Sequence, residues 1–457
     1  VRRQTPKRPV MNRCLNICPG AILAVLLAWT SAGGLTLQES IAIALDNNEE
    51  IRALQQKERA ADYGLIESVG NFLPSVSLST TYSRAEGGRS FEFPIATRAD
   101  LTTGEILYEA SIEAGFIEEE SHDTKLEVVQ PIFQGGALWG QLGVARAQRR
   151  AVEHERRAKR NEIALRVHQA YYGILEAEKL FQAMEEAVEL AREHVRVARA
   201  LYDAGMVERA ETLRADVLLS SRQQDRLRAA NGLDLARRSL NSLLARDLEE
   251  PLVVEEPEEL EPLGLTLQEC IARAAAGNPG LMSFQKHVEV AGKAVHLSRS
   301  SLLPKVNLIF DYGWHEETYQ FDRDSDFWMV MGVASWDIFT SGRHLARYQQ
   351  SKASHRQLKH ELAAYEDAIV LQVTRAYSEL QEARQGMELA EEALASAEEN
   401  YRVTAASYRE GLASQVDEID AQVTLTEVRV NHSRTRYQIY VAGAKLKNLM
   451  GGILETD

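Results

Sequence analysis

Leu265-Thr266-Leu267-Gln268-Glu269-Cys270 repeats, 230 positions later, the stretch Leu35-Thr36-Leu37-Gln38-Glu39-Ser40, and that echo organises the chain. Leu302-Leu303-Pro304 stands at the same offset from Phe72-Leu73-Pro74. Beyond that point the offset changes. Pro131-Ile132-Phe133 matches Asp337-Ile338-Phe339, Ala170-Tyr171 matches Ala376-Tyr377, and Tyr202-Asp203-Ala204-Gly205 matches Tyr408-Arg409-Glu410-Gly411, all 206 apart. The 24-residue difference between the two offsets must fall between Pro74 and Pro131. One connection tolerates length change while the other segments keep theirs, as a loop tip differs from an element of fixed length. The repeats run over 34–248 and 265–457, joined by a Pro- and Glu-rich linker at 249–264.

Between the matched segments lies helix of unusual length. Val373, Leu380, Met387, Leu394, Tyr401 and Tyr408 recur every seven residues, and Ala376, Ala383, Ala390, Ala397 and Thr404 follow three later. The first half carries the same register in Val167, Ile174, Phe181, Val188, Val195 and Tyr202, with Ala170, Ala177, Met184, Ala191 and Ala198. A heptad with large residues at one seam position and small ones at the other predicts closely approaching coiled-coil helices. No Pro interrupts 137–203 or 343–409, so each long helix is expected to reach roughly 100 Å. Return helices are expected at 208–245 and 415–448, the latter with a more polar seam of Ile419, Val423, Thr426, Val430, Ser433, Tyr437, Tyr440 and Ala444. Shorter helices are expected over 36–71 and 266–301.

A second periodicity, of two, marks strands. In Lys305–Glu316, Val306, Leu308, Phe310, Tyr312 and Trp314 alternate with a mainly polar set. Ser75–Arg84 alternates likewise, and Lys125–Phe133 and Phe327–Phe339 are further candidates, the last apolar on both faces. Hairpins are thus expected at 75–133, with its tip at 84–125, and at 305–339, with its tip at 317–326. Strands of about ten residues with apolar residues outward suit a membrane β-barrel wall. Four strands cannot close a barrel, and an open edge in lipid leaves backbone groups unpaired. The barrel must be shared between chains. Two chains would give eight strands and a filled interior, three would give twelve and a lumen.

The N-terminus reads as an address label. Arg2, Arg3, Lys7, Arg8 and Arg13, with no acid up to Gly33, precede and flank an apolar run over 21–29 that ends in Ser31, Ala32 and Gly33. This predicts a cleaved secretory signal peptide at 1–33, with Met11 a candidate start and 1–10 outside it. Cys14 and Cys18 leave with that peptide, so a lipid anchor is not expected and only Cys270 remains. The 457-residue chain has a formal net charge of −15, which argues against a nucleic-acid partner bound through phosphate neutralisation. Metalloprotease, P-loop, nucleophile-elbow and paired-Cys motifs are absent from the sequence, so neither enzyme activity nor a cofactor is expected. His355 and His360, five apart, do not share a helix face and suggest no metal site. The basic stretch from Arg146 to Arg160 is interleaved with Glu153 and Glu155 and reads as a solvated helix face.

These features resemble the TolC-type outer-membrane factors, the outer membrane efflux proteins. Carrying the resemblance are Leu-Thr-Leu-Gln-Glu opening each half, Phe/Leu-Leu-Pro before each hairpin, and Tyr-x-x-Gly at each helical tip, over about 35–450. It implies a homotrimer in which a twelve-stranded barrel in outer-membrane lipid continues into a long antiparallel α-helical barrel in the periplasm. Such proteins are exit ducts of tripartite efflux pumps and type I secretion systems. They dock on a periplasmic adaptor and an inner-membrane RND or ABC transporter. A structural tether without a conducting lumen is the alternative.

By the same resemblance, the segment from Tyr408 to Asp420 matches the part that closes the periplasmic end. Asp417 and Asp420, three apart on one helix face, would place six carboxylates around a threefold axis. Tyr408 matches a tyrosine whose hydroxyl helps hold the closed state, and Glu211 occupies the matching acid position. Ala413 stands where an arginine supplies a link in the best-known members. Ser414-x-x-Asp417 also reads as a helix-capping box, a role compatible with the first. Gly205 and Gly411 supply the positive φ that reverses two antiparallel helices. With Met206, Leu412 and Ser414, they are the implied adaptor-docking tips.

Overall fold

The computed structural model describes residues 34–84, 90–99, 106–115, 120–256, 264–316 and 325–454. The expected signal peptide, 257–263 of the expected linker and parts of both hairpin tips lie outside the described residues. The first half contains α1 (Leu37–Asn47), α2 (Glu49–Gly70), β1 (Ser75–Arg84), β2 (Ser90–Ala99), β3 (Ile106–Gly115), β4 (Glu120–Gln134), α3 (Ala137–Asp203) and α4 (Arg209–Leu243). The second contains α5 (Leu267–Gly277), α6 (Pro279–Arg299), β5 (Lys305–Glu316), β6 (Asp326–Ser335), α7 (Arg343–Arg409) and α8 (Gln415–Leu449). Both long helices have 67 residues and both return helices 35.

The opening motif of each half is a helix start. Thr36 and Thr266 each accept from the backbone N–H three residues on, while Glu39 and Glu269 reach back to the threonine N–H. The helices expected over 36–71 and 266–301 are each divided in two. At Asn48 the backbone turns extended and its side chain restarts the helix by accepting from Glu50 N at 2.8 Å. Asn278 does the same for Leu281 N at 2.9 Å, and Pro279 follows as the first helical residue. Proline tolerates that first position and disfavours continuation of the helix before it, so Asn278-Pro279 was a readable break.

Lateral packing sets the wall. The helix α3 lies against both α4 and α8, and α7 lies against α8, giving the order α4–α3–α8–α7. A helix in mid-wall needs two seams. One is the expected heptad, in which Val188, Val195 and Ala198 are buried with Ala215 of α4. The other, Ala187 and His194, faces α8. On α7 the heptad seam is buried in Ile369, Val373, Ala376, Leu380, Ala383, Ala390, Ala397 and Tyr408, and near the tip Ala405 is buried in place of the expected Thr404. The α8 seam agrees with expectation at Thr426, Tyr437, Tyr440 and Ala444, which are buried. It differs nearer the tip, where Gln415, Glu418, Ala421, Gln422 and Leu425 are buried while Ile419, Val423 and Val430 are half-buried. Polar residues won those positions because α3 offers partners there: Gln422 Nε2 donates to Ala187 O at 3.3 Å.

Midway along the helices, Tyr171, Tyr172, Tyr437 and Tyr440 pack with Ile163, Val167, Ile174, Leu240 and Leu244. The Tyr171 hydroxyl donates to Leu35 O at 3.0 Å and Glu255 O at 2.7 Å, where Leu35 forms a parallel bridge with Val254. Burial raises its pKa to about 12. The basic stretch of α3 zips onto α2: Arg149 with Asp62, Arg156 with Glu58, and Lys159 with Glu50. Such half-exposed pairs contribute about 0–1 kcal/mol each, so they set register more than stability.

His168 yields a pH prediction. Burial, reinforced by the Lys447 charge, lowers its pKa to about 4. The unfolded chain, with an imidazole near 6.5, then binds the proton more tightly than the native state. Stability is expected to be full above pH 6.5 and to fall as pH drops toward 4, by up to about 3 kcal/mol. Chemical denaturation across that range should show the slope, and His168→Gln should flatten it.

The strands form an antiparallel sheet in the order β1–β4–β5–β6, leaving β1 and β6 as its edges among the described residues. Register puts Val76, Leu78, Tyr82, Val128, Leu308, Phe310, Trp328 and Val330 on one face. The other face carries Ser77, Ser79, Thr81, Asp123, Lys125, Glu127, Asn307, Asp311 and His315. There Lys125 Nζ lies 2.8 Å from Glu127 and 3.5 Å from buried Asp311, and Gln134 donates to Asn307 at 2.6 Å. β6 breaks the rule, with Phe327, Met329, Met331 and Val333 on that polar face. It also ends at Ser335, short of the expected Phe339, before the chain turns through Ser341 and Gly342 at positive φ. The first tip, expected as a loop over 84–125, contains the β2–β3 hairpin, and β4 begins at Glu120. An excursion of that length satisfies its backbone by pairing with itself.

Candidate functional site

The two reversals at the far end of the long helices are built alike. Gly205 has φ 75°, with Gly205 N donating to Tyr202 O and Met206 N to Leu201 O, both at 2.8 Å. Gly411 has φ 71°, with Gly411 N on Tyr408 O at 3.0 Å and Leu412 N on Ser407 O at 2.8 Å. Each is a Schellman closure, which satisfies the last carbonyls only if the residue after the cap is left-handed. A Cβ at position 411 would lie 3.6 Å from Met206 Cε, so the two tips touch. Met206 and Leu412 are otherwise among the most exposed apolar side chains, at 63% and 82%.

The expected gate residues divide into exposed and buried sets. Asp417 and Asp420 are exposed. Asp417 also caps α8: Ser414 Oγ donates to Asp417 Oδ2 at 2.7 Å and accepts from Asp417 N at 3.2 Å. Tyr408 is buried and its hydroxyl has no hydrogen-bond partner among the described residues. Burial, then the charges of Glu211 and Glu418, push its pKa up to about 12. Oε2 of Glu211 is likewise buried and unpartnered among the described residues.

What ties the tips together is a set the sequence did not single out. The His194 ring stacks on Tyr408 at 5.4 Å between centroids. Its Nδ1 lies 2.6 Å from Oε2 of Glu418, a bent contact between two side chains almost wholly shielded from solvent. Its Nε2 lies 3.0 Å from Nε2 of Gln415, which also donates to the Glu211 carbonyl at 2.9 Å. One cluster thus joins α3, α4, α7 and α8. Ala413 is not part of it, and Gln415 makes the bond to the first turn of α4. Polar Gln415 and Glu418 at a spacing that buries both against α3, with His194 beside seam residue Val195, were the available signal.

Comparison with known proteins agrees with this architecture. The family model described as outer membrane efflux protein matches residues 41–246 and 270–452. The alkaline protease secretion protein AprF of Pseudomonas aeruginosa is 27% identical over 365 residues, covering 76% of this chain and 69% of AprF. The outer membrane efflux protein BepC of Brucella suis is 22% identical over 385 residues, 82% of this chain and 76% of BepC. Among solved structures, the Campylobacter jejuni CmeC outer membrane channel superposes with a TM-score of 0.77 at 18% identity, covering 98% and 94% of the two chains. With nearly all of both halves matched, the chain belongs to the outer membrane efflux protein family of TolC-like channels.

Proposed function

We propose that the protein is a trimeric exit duct of the outer membrane, serving a tripartite efflux pump or a type I secretion system. The observation that carries this is a wall left unfinished on both flanks at two levels. Among the described residues, β1 and β6 are free sheet edges, and α4 and α7 are the outer helices of the tip-proximal wall. The outward surfaces of those helices are apolar in places, with Val217, Leu227 and Leu235 exposed on α4 and Leu371 and Leu389 exposed on α7. Three copies joined edge to edge give twelve strands around a polar bore, with the apolar sheet face in lipid. A signal peptide within 1–33 delivers the chain across the inner membrane, and the helices extend through the periplasm.

The duct is passive. Energy comes from an inner-membrane RND or ABC transporter, and a periplasmic adaptor docks at Gly205, Met206, Gly411, Leu412 and Ser414 and draws the tips apart. Asp417 and Asp420 ring the entrance and favour cations. Purified protein in planar bilayers is expected to conduct, and Asp417→Asn with Asp420→Asn to lower its cation preference. The asparagine at 417 retains a capping acceptor, so the effect reports charge. Absence of conductance in both proteins overturns the duct in favour of a tether. So does failure of a water-soluble thiol reagent to reach Asn307→Cys.

A further inference from the structure

We infer that the joint between copies repeats the joint between halves, and that Leu248 of one copy plugs an apolar depression in the next. This rests on the edge-to-edge assembly of the duct and names its contacts. Within the chain, the first half is capped by the end of the second. Ile453 is buried with Ala164 of α3 and Ala444 of α8, and Leu454, Leu165 and Ile41 pack around them. The second half offers the same surface at offsets of 206 and 230, with Val370, Leu371 and Ile271 where the first has Ala164, Leu165 and Ile41. There Val370 is 42% exposed and Leu371 52%, beside a depression of about 280 Å³ between α5, α6 and α7. Ala275, in place of Leu45, deepens it.

The residue 206 before Leu454 is Leu248, just past the end of α4 and half exposed. A sister copy brings its α4 to α7 as α8 comes to α3 within the chain, a head-to-tail joint that closes into a ring. Nearer the sheet the shorter helices obey the same rule. The helix α6 lies against both α3 and α7, whereas α2 lies against α3 and leaves Tyr63 and Ile66 exposed for a sister α7. Charge agrees as well. Glu176 of α3 and Arg434 of α8 are 3.8 Å apart, and their counterparts are Glu382 of α7 and Arg228 of α4. Both counterparts are exposed, Arg228 holding only Asp225 of its own helix at 3.2 Å. Two positions depart from the copy. Arg238 replaces Ala444, and its stem can lie over Val370 while its head stays with Asp234. Asp367 replaces Asn161, which donates to Gly451 O, and a carboxylate cannot donate. The joint between copies therefore leans on its apolar plug, and parts more readily than the joint between halves.

The test uses the full chain purified from membranes in mild detergent, with Cys14, Cys18 and Cys270 changed to Ser, as Ser40 already stands at the matching first-half position. Leu248→Cys and Val370→Cys are placed together in one chain and treated with a short bifunctional thiol reagent, which spares the strict geometry of a disulfide. Denaturing gels should show covalent dimers and a closed ring of three, while each single variant stays a single chain. Leu248→Ala should weaken association about tenfold or more at each joint, the effect of withdrawing a buried leucine. Glu382→Arg should weaken it too, and Arg228→Glu in the same chain should restore it. Parent-like association in Leu248→Ala, with no link in the double variant, overturns the plug and leaves the duct standing. Links that close at a number other than three uphold the plug and overturn the trimer. A parent that remains a single chain overturns both.

Discussion

Lysine in place of Phe310 is expected to prevent stable residence in a membrane, whereas lysine at the adjacent Ile309 is expected to be tolerated. Phe310 sits mid-strand in β5 between Val128 of β4 and Val330 of β6, on the apolar face. Ile309 lies on the opposite face, level with Val129 and Met331, with Asn307 and Asp311 as its same-face neighbours along β5 and Lys125 and Glu127 farther along β4. A charge at the bilayer midplane on the lipid side of a barrel costs about 2–4 kcal/mol, and a ring of identical subunits carries it once per copy. Folding of each variant into phospholipid vesicles against urea would measure the difference. If the two lysines behave alike, the assignment of a lipid-facing side is wrong.

Gly451→Ala is expected to lower stability by about 3 kcal/mol or more. The added Cβ would stand 2.1 Å from the Gly277 carbonyl oxygen, at a φ of +85°. The left-handed backbone disfavours alanine by about 1–2 kcal/mol, and overpacking adds about 1–3. Neither stretch of backbone can easily retreat, because Asn161 and Asn278 donate to Gly451 O and Leu449 O. The corresponding position in the first half is Ala245, already at φ 54°, where Ala245→Gly should gain about 0.5–1 kcal/mol. Gly64→Ala, inside α2 with open space around it, should gain a similar amount. Guanidinium unfolding midpoints in detergent would rank the three.

Most of the wall was legible because it is written in local periodicity. Seven-residue spacing announced α3 and α7, and two-residue alternation announced β1 and β5, each needing only one face to be sorted from the other. Two features carry a local signal that long-range periodicity hides: the Asn278-Pro279 break, and the Phe91, Phe93, Ile95 alternation in the strand that pairs with β3 in the first hairpin tip. The site was less legible. Gly205 and Gly411 were recognisable because a reversal needs positive φ, and Asp417 because capping is local. His194, Gln415 and Glu418 were not, since polar residues in a seam look like exceptions until the partner helix is known. Their contacts span more than 200 positions of chain.

On the proposed assembly, in which sister copies complete the flanks, there is a genetic consequence. Every defective subunit spoils two joints of a ring, not one, so a single altered gene copy expressed beside a sound one should poison most assemblies. Alleles damaging the edges β1, β6, α4 or α7 should then lose dominance, because such chains never enter a ring, whereas alleles damaging the tips should keep it.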